Sequence, residues 1–244
     1  MYIVTGGTQG IGAATVEKLV SLGHPVVFTG RDETAGTQLA ARLPDCTFVA
    51  GDVLNEEDCR NVVATALRLG DGKLAGLVNN AGMSGRKVFT ETSQEDWDTL
   101  FAVNTRSVFF YTKHGLPGLI AGRGAVVNVS SIAGKTGEQG LATYCATKAA
   151  LLGLTQALAL EYGGQVRFNA VCPGQIATRM MNKIVNDEAR LAALTARIPE
   201  GRLASASEVA DAICWLLSPG ASYVNGTTLT VDGGETAGLL SPKS

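Results

Sequence analysis

The sequence predicts an α/β protein: a doubly wound parallel sheet of about seven strands with helices on both faces. Three observations carry that expectation. Short β-branched runs recur along all 244 residues, each apolar nearly throughout, as strands buried on both faces read. The segments between them carry helical periodicity and capping residues. No repeat, low-complexity tract or Pro-rich linker divides the chain, so one domain over 1–244 is expected rather than two.

The first strand, "YIVTGG" (2–7), runs into "TGGTQGIGAAT" (5–15), a glycine-rich turn that opens a helix. Gly6, Gly10 and Gly12, with Thr8, Gln9 and Ile11 among them, let the backbone turn tightly and approach a diphosphate, whose charge a helix N-terminus favours. The spacing is G-x-x-x-G-x-G, and turns of this kind also serve packing alone. From Ala13 to Leu22 the helix keeps Val16, Leu19 and Val20 on one face, and Gly23 follows as a suitable C′ residue. The end of the second strand, "PVVFTG" (25–30), should face an adenosine ribose. A carboxylate there would hold the ribose hydroxyls of NAD and repel a 2′-phosphate. Here Gly30 takes that place and Arg31 follows, a guanidinium suited to gripping a 2′-phosphate. NADP(H) is therefore expected over NAD(H), with a plain surface arginine as the alternative reading. Asp32 has the alternative of capping the next helix.

"CTFVAGD" (46–52), "LAGLVNNAG" (74–82), "GAVVNVSS" (124–131), "QVRFNAVCPG" (165–174) and "TTLTVDGG" (227–234) supply the remaining strands. Ser93 with Asp96, and Ser205 with Glu208, have capping-box spacing before "WDTLFAV" and "VADAICWLL". The helix from Ala142 to Leu160 distributes five leucines around itself, more apolar surface than one sheet contact needs.

Composition narrows the function classes. Hydrophobic residues are 45%, charged residues 17% and the net charge −2, an ordinary globular balance without a basic stripe, so no nucleic-acid partner is expected. Five cysteines without a C-x-x-C pair, and two histidines at no ligand spacing from them, argue against a metal site or a disulfide framework. No apolar stretch is long enough for a membrane span and no basic-then-apolar leader opens the chain, so a reducing cytoplasm is the expected setting.

The stretch "SSIAGKTGEQGLATYCATK" (130–148) sets a hydroxyl, a phenol and an ammonium, Ser131, Tyr144 and Lys148, among residues built for packing. Such groups bury poorly without partners, so they form either a satisfied polar knot or a reactive site. Together "TGGTQGIG", "GDV" (51–53), "NNAG" (79–82), "VNT" (103–105), "VSS" (129–131), "YCATK" (144–148), "CPGQIAT" (172–178) and "VDGG" (231–234) resemble the short-chain dehydrogenase/reductase family, in order and over nearly the whole chain. The resemblance implies a Rossmann-type fold and an NAD(P)-dependent oxidoreductase interconverting a carbonyl and a secondary alcohol. It also implies a catalytic set of Asn104, Ser131, Tyr144 and Lys148.

The physical reasons stand beside it. A ketone becoming an alcohol accepts a hydride at carbon and a proton at oxygen, so the site needs a hydride source and a positioned acid. Tyr144 is the candidate acid. A free phenol has a pKa of about 10, and a nearby cation favours the phenolate; Lys148, at i+4, lies on the same helical face. The lysine keeps donors for nicotinamide-ribose hydroxyls. Ser131 can donate to the substrate oxygen as charge develops there. For Asn104 the resemblance implies water binding in a proton relay.

The same resemblance assigns Asp52 and Val53 to the adenine ring, and Asn80, Ala81 and Gly82 to the adenosine side of the cleft. Pro173 and Gly174 shape the turn that brings Ile176 and Thr178 to the nicotinamide carboxamide. Strand-end hydrogen bonding is the other reading for Asn79 and Asn80, and the two roles are compatible.

A small carbonyl or alcohol substrate is expected to be chosen by a loop at about 179–205, helped by Met83, Lys135, Glu138, Gln139 and Leu141. Met180, Met181, Ile184 and Val185 either line an apolar pocket under a lid or form a buried helix face. The family's 3-oxoacyl-carrier-protein reductases need basic residues near the cleft, and "LEYGGQVRF" offers Arg167 alone, which lowers that alternative. A non-catalytic nucleotide-binding regulator and a lyase or epimerase are the others. By analogy the chain forms a homotetramer, with a homodimer as the alternative.

Overall fold

The fold is described from a computed structural model covering residues 1–178, 181 and 185–238. The elements, in chain order, are β1 (Tyr2–Thr5), α1 (Gly10–Ser21), β2 (Val26–Gly30), α2 (Glu33–Arg42), β3 (Cys46–Ala50), α3 (Glu56–Leu69), β4 (Gly76–Asn79), α4 (Gln94–Phe101) and α5 (Ser107–Gly122). There follow β5 (Ala125–Val129), α6 (Ala142–Glu161), β6 (Arg167–Pro173), α7 (Glu188–Thr195), α8 (Ala206–Leu217) and β7 (Thr228–Val231). The seven strands form one sheet in the order β3-β2-β1-β4-β5-β6-β7, every neighbouring pair parallel.

Strand alternation explains why the strands read as apolar throughout. Neighbouring residues point to opposite faces. Val4, Phe28 and Val127 pack with Val16 and Leu19 of α1 and Ile213 of α8 on one face. Ile3, Val27 and Val126 pack with Val62 of α3 and Tyr111 of α5 on the other. The chain leaves β1 in one direction toward β2 and β3, and in the other toward β4 through β7. The point of reversal, between β1 and β4, opens a crevice at the strands' C-terminal ends where such sheets take ligands.

Local punctuation follows the residues. α1 begins at Gly10, three residues before the expected Ala13, because the glycine turn itself supplies the first helical turn; Gly23 after it has φ +79°. Asp32 caps α2 by accepting from the Ala35 N–H at 3.0 Å, which supports the capping reading. Both capping boxes form, at Ser93 with Asp96 and at Ser205 with Glu208. α4 and α5 are joined through a π-helical turn, Ala102–Arg106, carrying Asn104. π turns inside helices are frequent at functional positions. Of the loop residues expected to line a pocket or a helix face, Met181 is half-buried and Val185 exposed, while Met180 and Ile184 lie outside the described residues.

Candidate active site

The glycine turn closes so tightly that side chains have no place in it. Gly6 and Gly10 have φ +62° and +57°, a region that disfavours any Cβ. A Cβ on Gly12 would stand 2.2 Å from the Gly6 carbonyl oxygen and 2.5 Å from Asn80 Nδ2. Asn80 rivets this turn to the end of β4: its Nδ2 donates to the carbonyls of Thr5 (2.9 Å) and Gly6 (3.1 Å). Thr5 Oγ1 in turn accepts from the N–H groups of Asn80 and Ala81, each at 3.0 Å. Strand-end hydrogen bonding is thus the observed role of the Asn80 amide. Asn79 likewise donates to Asn128 Oδ1 (2.8 Å) on the neighbouring strand.

Where the second strand ends, Gly30 makes room for Thr8: a Cβ at 30 would lie 2.7 Å from the Thr8 methyl and 3.0 Å from its hydroxyl. A side chain at 30 would therefore require Thr8 to shift. Arg31 beside it is exposed, and no side chain among the described residues holds it. Gln9 is exposed and caps the helix without a side-chain bond, while Ile11 packs on the core. Asp52 Oδ1 accepts from the Leu54 N–H (3.0 Å), and Val53 is half-buried beside it. On the opposite side, a Cβ on Gly174 would stand 2.7 Å from Asp232 Cβ, so the Pro173–Gly174 turn lies flat on the turn after β7. From there Ile176 is buried in a one-residue parallel bridge with Ala204. The Thr178 methyl reaches to 3.5 Å from the Cβ direction of Gly10.

Asn104, Ser131, Tyr144 and Lys148 converge at the ends of β4 and β5. Asn104 Oδ1 accepts from the Met83 N–H (2.9 Å), and its Nδ2 donates to the Met83 carbonyl (2.9 Å) and to Thr147 Oγ1 (3.0 Å). Lys148 Nζ donates to the Val129 carbonyl at 2.8 Å. A Cβ on Gly82 would lie 3.3 Å from both Asn104 Oδ1 and Lys148 Nζ, so glycine is what lets the two approach. Ser131 Oγ accepts from the Ala133 N–H (3.1 Å), and its hydroxyl bonds the Tyr144 phenol. Thr5 and Thr147, which hold this arrangement, were not singled out by any sequence pattern.

The electrostatics correct one expectation. Burial pushes the Tyr144 phenol above its ordinary value; the Ser131 hydrogen bond pulls it back, and the Glu138 charge adds to the rise. Burial pushes Lys148 down to about 8. The ammonium is thus not what offsets the phenol's burial, because it lies 5.8 Å from the centre of the Tyr144 ring and is directed to a carbonyl. The phenol accordingly stays protonated near neutral pH, the form needed by an acid.

Two cavities flank the segment that joins Ser131 to Tyr144. One, of about 330 Å³, lies between the loop after β4 and the start of α6, with Met83, Arg86, Gly140 and Thr143 in its wall. The other, of about 370 Å³, lies beyond Ile132 and Ala133, where Arg197 pairs with Glu235 at 2.7 Å. Among the described residues no cluster of His, Cys, Asp and Glu suited to a metal ion occurs, and no helix is long and apolar enough to cross a membrane.

A family profile described as "Enoyl-(Acyl carrier protein) reductase" matches residues 6–236. Meso-2,3-butanediol dehydrogenase of Serratia marcescens is 36% identical over 252 residues, covering 100% of this chain and 97% of that protein. A 3-oxoacyl-[acyl-carrier-protein] reductase of Haemophilus influenzae is 35% identical over 236 residues, covering 95% of this chain and 96% of its own. A solved structure of a short-chain dehydrogenase/reductase family protein superposes with a TM-score of 0.88 at 35% identity, covering 97% of each chain. With sheet order, glycine turn and the Ser131–Tyr144–Lys148 arrangement all in agreement, the chain belongs to the short-chain dehydrogenase/reductase family.

Proposed function

We propose that the protein is an NAD(P)(H)-dependent oxidoreductase that interconverts a small ketone and its secondary alcohol, with Tyr144 as general acid and base and NADP(H) preferred over NAD(H). The observation that carries it is the convergence of Asn104, Ser131, Tyr144 and Lys148 beside a glycine cradle at the sheet's point of reversal. The cradle formed by Gly6, Gly10 and Gly12 fits a diphosphate, since a Cβ on Gly12 would collide with the Gly6 carbonyl. Arg31, without a side-chain partner among the described residues, is available to a 2′-phosphate. Asp52 and Val53 border the adenine, Ala81 and Gly82 the adenosine side, and Ile176 and Thr178 the nicotinamide side. The bound nicotinamide supplies or takes the hydride.

The chain's own groups do the rest. Ser131 donates to the carbonyl oxygen as negative charge grows on it. Tyr144 gives that oxygen its proton in reduction, and takes it back in oxidation. Lys148, with one donor on Val129, keeps two for ribose hydroxyls. The Asn104 side chain is committed to Met83 and Thr147, so the relay water falls to the backbone of the π turn.

Substrate choice falls to the segment at about 179–205, where the described residue Ala204 is tied to the Pro-Gly turn by a parallel bridge with Ile176. Exposed large hydrophobic side chains, Phe89, Trp97, Phe109, Leu160, Trp215 and Tyr223 among them, support a homotetramer, with a homodimer as the alternative. All five cysteines are free thiols, which suits a cytoplasmic setting. A 3-oxoacyl-carrier-protein substrate is the second reading, favoured by the relatives named 3-oxoacyl-[acyl-carrier-protein] reductase, 35% identical to this chain. Against it, Arg167 directs its guanidinium at the carbonyls of Leu216, Leu217, Ser218 and Val224, away from any carrier. The test is a screen of ketones, alcohols and 3-oxoacyl thioesters with each nicotinamide cofactor, comparing wild type with Tyr144→Phe. Turnover of small ketones, lost in the variant while nucleotide binding persists, is expected. Undiminished turnover in the variant removes Tyr144 from the chemistry.

A further inference from the structure

The strip 138–143, which leads into Tyr144, separates the two cavities and is clamped from outside by one side chain. Arg86, on the loop after β4, directs its guanidinium at two places on that strip: the Glu138 carboxylate and the Gln139 carbonyl. Its stem supports the next residue, since a Cβ on Gly140 would stand 3.1 Å from Arg86 Cγ, and Gly140 has φ +76°. The neighbouring Lys87 N–H donates to the Gly140 carbonyl at 2.8 Å. The strip is therefore positioned by a fork that matches a carboxylate and a carbonyl, a geometry lysine cannot reproduce.

We propose that Arg86 is a positioning residue for the reaction: it fixes the active-site wall between Ser131 and Tyr144 and holds the Glu138 charge so that it does not face the phenol uncompensated. This deepens the oxidoreductase reading and rests on it for its catalytic consequence. The groups around the phenol are Glu138 on the strip, Cys145 and Lys148 on α6, Cys172 on β6, and the neutral Ser131 hydroxyl after β5. Glu138 is the acidic one among them, and its charge disfavours the phenolate. Removing the guanidinium leaves that charge unopposed, so the phenol should titrate at higher pH. The strip, released at two of its anchors, should hold a carbonyl less well.

The experiment compares wild type, Arg86→Ala, Arg86→Lys and Arg86→Ala/Glu138→Gln. Tyr144 titration is followed by NMR on ring-labelled tyrosine, together with KM and kcat for the best small ketone and a thermal melt. For Arg86→Ala we expect the phenol to titrate about half a pH unit higher and KM to rise about fivefold with nucleotide affinity unchanged. Arg86→Lys should restore the titration but not KM, and the double variant should return the titration alone. A melt shifted without any change in titration or KM overturns the proposal, as does wild-type behaviour in Arg86→Ala. The outcomes separate it from the reading beneath it. An inactive wild type whose phenol still responds to Arg86 refutes the oxidoreductase reading alone, whereas an active wild type whose Arg86→Ala variant is unchanged refutes the clamp alone.

Discussion

Gly12→Ala is the substitution whose effect the geometry fixes most tightly. The new methyl would lie 2.2 Å from the Gly6 carbonyl oxygen and 2.5 Å from Asn80 Nδ2, far inside contact distance. Neither neighbour can yield freely. Gly6 is held at φ +62°, and Asn80 is bound through that nitrogen to the Thr5 and Gly6 carbonyls. Overpacking of this kind costs about 1–3 kcal/mol, and each Asn80 hydrogen bond lost adds about 1 kcal/mol. A total of about 3 kcal/mol is expected in urea unfolding. The displaced carbonyl borders the proposed diphosphate site, so NADPH affinity, read by fluorescence titration, should fall about 100-fold if the strain is carried there. Gly153→Ala is the control: nothing lies within 4 Å of its Cβ position in α6, so helix propensity should make it neutral or slightly stabilising. A Gly12→Ala protein that unfolds and binds like wild type would refute the account of the turn.

Arg31→Ala should weaken NADPH about tenfold and leave NADH nearly unchanged, measured by the same titration; equal losses for both would reject the 2′-phosphate role. Burial lowers Lys148 to about 8, so between that value and the unfolded value near 10.4 the unfolded chain binds more protons. Stability of the nucleotide-free protein should therefore rise across that window by about 3 kcal/mol relative to Lys148→Met; parallel unfolding curves would contradict the burial. Ser205→Ala removes the hydroxyl that caps α8 and should cost about 1 kcal/mol in urea unfolding with nucleotide affinity unaffected; an unchanged midpoint would deny the cap a role in stability.

What the sequence disclosed divides along a physical line. Strands buried on both faces announce themselves as unbroken apolar runs, and helical segments between them mark the sheet as parallel, whereas the order in which the strands pair is set by the packed fold. The boxes at Ser93 and Ser205 are local, four residues each, and so are legible. The Ser131–Tyr144–Lys148 set was legible through its neighbours, since a lone Y-x-x-x-K carries little. The π turn at Asn104 was not legible, because an extra residue in a helix leaves no mark on a short apolar pattern. Nor was the Arg86 clamp: its partners lie 52 and 53 residues away, and no periodicity encodes such pairs. The phenol's upward displacement was missed for a related reason. Spacing puts an ammonium on the same helical face, but burial and the direction of Lys148 toward Val129 are properties of the packed fold.

The most direct measurement follows the hydride and its dependence on the proton donor: a ketone is incubated with NADPH deuterated at the transferable position, and the alcohol is weighed by mass spectrometry. The account predicts singly deuterated alcohol from the wild type, and from Tyr144→Phe almost none despite equal NADPH binding. Labelled alcohol formed just as fast by that variant, or none formed by the wild type from any ketone, would contradict it.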